Sequence, residues 1–253
     1  MIDVYKILGV DIGASGIKGA VIDIRNGEML TERLRLETPQ PATPQAVVKT
    51  FAELIKLHQW SGPVGCGFPA IVKNGVAHSA ANIDRSWIGK NIAKLFSRAT
   101  DCEVRVLNDA DAAGIAEMQY GNGFGKKGVV LMLTLGSGIG SALFMDGRLV
   151  PNTELGHVFL HGKIAENYAA NSIRKKQELT WDEWGTRLNE YLNHIQRLFS
   201  PDLILLGGGV SKRFDKYEEF LNVKATIKPA KLLNNAGSIG AALYTYGFVG
   251  KGA

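Results

Sequence analysis

Two stretches of the chain share one pattern, and that pattern restricts the fold more than any other feature. Residues 10–30 read VDIGASGIKGAVIDIRNGEML and residues 133–150 read LTLGSGIGSALFMDGRLV. Each runs apolar strand, glycine turn with a serine, Gly-Ile, apolar return strand, then a second turn containing glycine. The repetition is read as a weak internal duplication whose copies start each of two domains.

Around these hairpins, strand-like and helix-like segments alternate, which is the pattern of an α/β protein. YKILGVDIG, IKGAVIDI and MLTERLRLETP are expected strands, and TPQPATP is a loop stiffened by three prolines. QAVVKTFAELIKLH puts Val47, Phe51, Leu54, Ile55 and His58 on one helical face. WIGKNIAKLFSRA repeats that spacing at Ile88, Ile92, Leu95 and Phe96. The longest expected helix is TWDEWGTRLNEYLNHIQRLF. Thr180 and Glu183 form its capping box, its stripe is Trp184, Leu188, Tyr191, Leu192, Ile195 and Leu198, and Ser200-Pro201 ends it. The tryptophans are read as core. The strand DLILLGGGVS, the short strand VKATIKPA and the small-residue helix NAGSIGAALYTYG close the chain. The expected domains are 1–108 and 109–253.

With 253 residues, 45% of them hydrophobic, the chain can bury a substantial core. No apolar run approaches the length of a membrane span. The opening MIDVYKILGVDIG has no basic leader or cleavage site and reads as mature cytoplasmic sequence. Cys66 and Cys102 are isolated, which suits a reducing compartment and gives no thiolate zinc spacing. A net charge of +5 favours anionic partners without naming one.

Glycine turns let backbone N–H groups converge on an anion, because no Cβ blocks the approach. Gly13, Gly16 and Gly19 with Ser15 make one such nest, with Lys18 as a point charge. Gly136, Gly138 and Gly140 with Thr134, Ser137 and Ser141 make a second. Asp11 is placed to hold Mg²⁺ through water. The sequence is neither a P-loop nor a dinucleotide fingerprint, since strands rather than helices follow the turns. Asn108 and Asp109 stand at a strand-to-helix junction, where a carboxylate either accepts a substrate proton or caps the helix. Asp111, two residues on, is expected on the solvated helix surface. Glu154, His157, His161 and Glu166 lie close in sequence, and Asn82 adds an amide; they suit a polyol or a polar surface loop.

DIGASGIK, NDADAAG, LGSGIGSA, NTELGH and LILLGGGVS, in that order, resemble the sugar kinases of the ROK (repressor, open reading frame, kinase) family over nearly the whole chain. The short length, with TPQPATP, FPAIVKNGV, SAANIDRSWIGKN and NTELGH, is most similar to members that phosphorylate glucose from inorganic polyphosphate. The resemblance implies two actin-like (ribonuclease H-like) domains with an interdomain cleft. It implies that Asp11, Gly13, Ser15 and Lys18 form the first phosphate motif, and Gly136, Ser137, Gly138 and Gly140 the second. It makes Asp109 the base for the sugar 6-hydroxyl, and Asn82, Asn108, Glu154, His157 and Glu166 ligands of the sugar. Gly207, Gly208 and Gly209 would lie near adenosine if ATP is used. Most of the family has three zinc-binding cysteines after the GH; here HVFLHGKIAEN has none. Mg²⁺ is therefore the implied metal, zinc is not, and something else must orient His157.

The implied partners are glucose with polyphosphate or ATP, and a second copy of the chain in a homodimer. A strictly ATP-dependent hexose kinase and a silent sugar-binding protein are the alternatives. A repressor is not expected, because ten residues before Asp11 leave no room for a helix-turn-helix, so neither nucleic acid nor membrane is an implied partner. Arg174–Lys175–Lys176, Lys126–Lys127 and Lys212–Arg213 with Lys216 are candidate tracks for a polyanion, or solvated faces.

Overall fold

The computed structural model describes residues 3–249. In chain order the regular elements are β1 (Lys6–Gly13), β2 (Gly16–Asp23), β3 (Glu28–Met29), β4 (Leu34–Leu36), α1 (Pro44–Leu57), β5 (Val64–Phe68), β6 (Val72–Lys73), β7 (Val76–Ala77), α2 (Ile92–Thr100), β8 (Val104–Asn108) and α3 (Asp109–Tyr120). They continue with β9 (Val129–Leu135), β10 (Ile139–Met145), β11 (Arg148–Val150), β12 (Phe159–Leu160), β13 (Lys163–Ile164), α4 (Glu166–Ala169), α5 (Asn171–Lys176), α6 (Trp181–Phe199), β14 (Leu203–Gly207), β15 (Thr226–Pro229) and α7 (Ala236–Val249). No helix among the described residues is long and apolar enough to cross a membrane.

The chain divides into two compact units, Met1–Ala116 with Asn235–Ala253, and Glu117–Asn234. Residues 108 and 109, where the sequence reading put the domain boundary, both lie in the first unit. The reason is α7, which comes back to the first sheet. Its backbone lies so close that a Cβ on Gly9 would stand 2.0 Å from Ser238 O, and one on Gly65 2.0 Å from Ala241 O. Small residues on strand and helix permit that approach.

The first unit's sheet runs β3-β2-β1-β5-β8, with β4 also paired to β2. β1 and β2 are antiparallel, while β1, β5 and β8 are parallel. α1 and α2 cover one face. Phe51 stacks on Phe96 at 4.0 Å, and Trp87, fully buried, donates its indole N–H to Ala42 O at 3.0 Å. The second unit's sheet runs β11-β10-β9-β14-β15, again antiparallel then parallel. The two sheets thus repeat one order and one set of directions, as the duplicated hairpins suggest. α6 supplies the second core through Trp184, Leu188, Tyr191, Leu192 and Ile195. Glu183 accepts the Thr180 N–H at 2.9 Å, completing the expected cap.

Several local expectations shift. MLTERLRLETP is two short strands, β3 and β4, rather than one. α2 starts at Ile92, because the Asn91 side chain accepts the Lys94 N–H and caps it there; Ile88 lies outside the helix and is exposed. Leu198, in the last turn of α6, is also exposed. Asp111 is 1% exposed, not solvated, because α3 is packed on the small-residue face of α7: a Cβ on Gly240 would stand 1.7 Å from Ala112 O.

Candidate active site

In the first unit, β1, β5 and β8 end at one edge of the sheet, the edge at which parallel α/β sheets place ligands. Asp11 pairs in register with Gly67 on one side and with Lys18 on the other. The Lys18 ammonium is 3.6 Å from the Asp11 carboxylate. Burial pushes the Asp11 carboxyl above the usual carboxylate range, and Lys18 and Arg33 pull it back. A half-buried carboxylate of this kind is a site for positive charge.

The turn between β1 and β2 is Ala14-Ser15, flanked by the Gly13–Gly16 pair. Its carbonyls are held from one segment. Thr38 donates to Gly13 O at 2.6 Å, Gln40 to Ala14 O at 3.4 Å and Arg35 to Ser15 O at 2.6 Å. In a trans peptide the N–H points opposite to the C=O. Tying the Gly13 and Ala14 carbonyls therefore aims the Ala14 and Ser15 N–H groups the other way, as an anion nest requires. Arg35, Thr38 and Gln40 escaped the sequence reading; polar residues in TPQPATP and LRL were its only trace. The Gly13–Ala14 turn and Asn82 line one cleft of about 370 Å³, with Thr38, Gln40 and Pro69.

Asn108 and Asp109 divide the work at the start of α3. Asn108 is the buried cap: its Oδ1 accepts the Ala110 and Asp111 N–H groups at 2.9 and 3.0 Å, and its amide donates to Ala70 O at 3.1 Å. Asp109 is half-buried on the first helical residue, one oxygen accepting the Ala110 N–H at 2.9 Å. The helix dipole favours its negative charge there. β5 runs beside it: a Cβ at Gly67 would make an ordinary contact, 3.4 Å from Asp109 Cα.

In the second unit the Gly136–Gly138 turn follows β9, and Thr134 is in register with Gly207 of β14. Gly136 N–H is spent on Gly138 O at 3.0 Å. Ser172 clamps the turn, its N–H donating to Gly136 O at 3.0 Å and its hydroxyl to Ser137 O at 2.6 Å. By the same trans-peptide geometry, the Ser137 and Gly138 N–H groups face away from Ser172. A Cβ at Gly136 would meet nothing within 4 Å, so the turn borders open space. Gly140 is a strand residue paired with Thr134. Ser141 is buried beneath the site, donating to Thr153 O at 2.7 Å and accepting the Leu155 N–H at 3.0 Å.

The same serine positions the ELGH segment. Gly156 lies against β10, where a Cβ would stand 2.2 Å from Ile139 O, and Tyr191 of α6 donates to Leu155 O at 3.2 Å. His157 is thereby set between two carboxylates: Nδ1 is 3.4 Å from Glu154 and Nε2 3.5 Å from Glu166. Glu166 also accepts the Ile139 N–H at 3.2 Å, which joins this cluster to the glycine turn. Burial raises the Glu154 carboxyl above its usual range, against the pull of His157. The two glutamates flank the imidazole, one at each ring nitrogen. His161 is not part of the cluster; it pairs with Glu190 at 2.8 Å. Gly208, at φ +82°, begins the turn after β14, and Gly209 faces open space.

The model of the ROK family matches residues 7–169. The chain belongs to the ROK family. A polyphosphate glucokinase of Mycobacterium tuberculosis is 44% identical over 93% of this chain and 89% of its own length. The crystal structure of the inorganic polyphosphate/ATP-glucomannokinase of Arthrobacter sp. strain KM superposes with a TM-score of 0.92 and 46% identity, covering 95% of this chain and 98% of that one. A ROK family glucokinase from Streptomyces griseus, in complex with glucose and AMPPNP, shares the fold at a TM-score of 0.83 and 22% identity, covering 95% of this chain and 99% of that one. The fold is the actin-like ATPase fold of ROK sugar kinases, and the paired sheets above are its two halves.

Proposed function

We propose that this chain transfers a phosphoryl group from inorganic polyphosphate, with ATP as a second donor, to the 6-hydroxyl of glucose. The observation that carries the reading is an anion-accepting glycine turn at the strand-end edge of each sheet, in a chain 44% identical to polyphosphate glucokinases. Asp109 takes the proton of the 6-hydroxyl as it attacks phosphorus. Asn82, Asn108, Glu154, His157 and Glu166 hold the sugar hydroxyls, with the two glutamates fixing the imidazole. The N–H groups of the two turns, with Gly13, Ser15, Gly16, Lys18 and Thr134 around them, take the phosphoryl oxygens. Gly207, Gly208 and Gly209 serve adenosine when ATP is the donor. Catalysis is mostly positioning and charge neutralisation.

The Asp11 carboxylate fits Mg²⁺, which takes one or two carboxylates and completes its shell with water and substrate phosphates. Among the described residues no group of three or more His, Cys, Asp or Glu gathers for a metal. When bound, the cation would neutralise charge on the donor phosphates.

The test is glucose 6-phosphate formation with Mg²⁺ and one donor at a time. More product from long-chain polyphosphate than from ATP supports the reading. Product from ATP alone overturns the donor and leaves a hexose kinase. Absence of product from either overturns the proposal.

A further inference from the structure

Within the first unit, the first turn of α7 lies against the side chain of Asp11. In β1, Gly9 and Asp11 are two residues apart and so face the same side of the sheet. Gly9 is in register with Gly65 of β5. This glycine pair lets α7 settle onto the strand backbones, at Ser238 O over Gly9 and Ala241 O over Gly65. One residue before Ser238 comes Gly237, and there the helix meets a side chain instead of a strand. A Cβ on Gly237 would stand 2.9 Å from Asp11 Cγ and 3.0 Å from its Oδ1. Carbon atoms pack at about 3.5–4.0 Å, so that space is already taken. On the other side, the Lys18 ammonium is 3.6 Å from Asp11 Oδ2. The half-buried carboxylate therefore stands between a cation and the bare Cα of Gly237, with one oxygen toward each.

A methyl group at position 237 has one easy accommodation. The backbones of β1 and α7 are locked together at Gly9 and Ser238, whereas the Asp11 carboxylate can rotate about its own Cα–Cβ bond. Gly237→Ala therefore displaces the Asp11 oxygens rather than the helix. The other two glycines of α7 differ: Gly240 lies against the backbone of Ala112, and Gly247 has nothing within 4 Å.

We propose that Gly237 is a positioning residue for phosphoryl transfer, its missing side chain fixing the place of the Asp11 carboxylate. The proposal rests on the assignment of that carboxylate to Mg²⁺ above. It gives the first turn of α7 a duty in the site that is separate from the packing of the helix on the sheet.

The probe is inorganic tripolyphosphate, bound at equilibrium to the full chain without glucose, once with Mg²⁺ and once with EDTA. The wild type should bind more tightly with Mg²⁺, and Asp11→Ala should lose that gain. Gly237→Ala should weaken binding in Mg²⁺ by about 10-fold, the low end of what groups that orient a metal's ligands contribute, and leave binding in EDTA unchanged. Added to Asp11→Ala it should do nothing further, because two residues that act through one group are not additive. The melting temperature gives a reading independent of the metal. Gly237→Ala should lower it more in the wild type than in Asp11→Ala, where the methyl meets no carboxylate. Gly247→Ala should follow the wild type in its response to Mg²⁺. The proposal is overturned if Gly237→Ala keeps the full response to Mg²⁺, if it weakens binding equally in Mg²⁺ and EDTA, or if its loss adds to that of Asp11→Ala. Should Asp11→Ala itself keep the full response, the assignment of the metal to Asp11 fails, and this inference with it.

Discussion

Asn108 and Asp109 are neighbours with separable duties, and the separation makes them testable. Asn108 supplies the cap, so Asn108→Ala should cost about 1 kcal/mol of stability, read as a shift in denaturant midpoint. Asp109→Asn keeps the size and the helix and should lower kcat by at least ~100-fold with the melting temperature nearly unchanged; equal turnover would remove Asp109 from the role of base. A different residue governs behaviour in acid. The Arg25 guanidinium holds the Asp23 carboxyl at about 2, below the usual 3.8. A lowered carboxylate pKa contributes stability at higher pH that is lost as pH falls through the folded value. Arg25→Ala should therefore be less stable than wild type at pH 7, and the gap should close between pH 4 and 2. A gap that persists unchanged to pH 2 would mean the arginine acts through packing instead. At this scale the sequence was partly legible. The register Asp11↔Lys18 follows from a two-residue turn, but the choice between Asn108 and Asp109 as cap needs the hydrogen bonds themselves.

At the scale of elements, α7 carries the sharpest consequence. Gly240 stands where a Cβ would be 1.7 Å from Ala112 O, while Gly247, in the same helix, has open space around it. Gly240→Ala should destabilise by ~1–3 kcal/mol or more, because the backbone of α3 must move. Gly247→Ala should be neutral or stabilising by up to ~1 kcal/mol through helix propensity. Urea midpoints of the two variants check both, and similar values would mean α7 does not pack as described. The capping box of α6 and the buried stripe of α1 were readable because they are local patterns with a period of 3.6 residues. The ends of such patterns were not: Ile88 continues the α2 spacing but precedes the Asn91 cap, and Leu198 continues that of α6 but is exposed.

Across the whole molecule, folding and ligand binding are linked. A sugar that binds only the folded chain should raise stability by about 2.7 kcal/mol at 100 times its Kd. Thermal midpoints should climb with glucose, and His157→Gln should reduce that climb while leaving the ligand-free midpoint near wild type. An undiminished shift in the variant would take His157 out of the sugar site. The sequence by itself determined the α/β class, the two glycine hairpins and the family, because these rest on residues adjacent in the chain and on their order. It also pointed to Asp11, Asp109 and the ELGH segment by residue type. Only the tertiary structure decided that α7 completes the first unit. It alone showed that Arg35, Thr38 and Gln40 turn the first nest's carbonyls aside, and that Glu154 and Glu166 flank His157. Those contacts join residues far apart in sequence, and their identity depends on which backbones approach closely enough to touch. No periodicity along the chain encodes that distance.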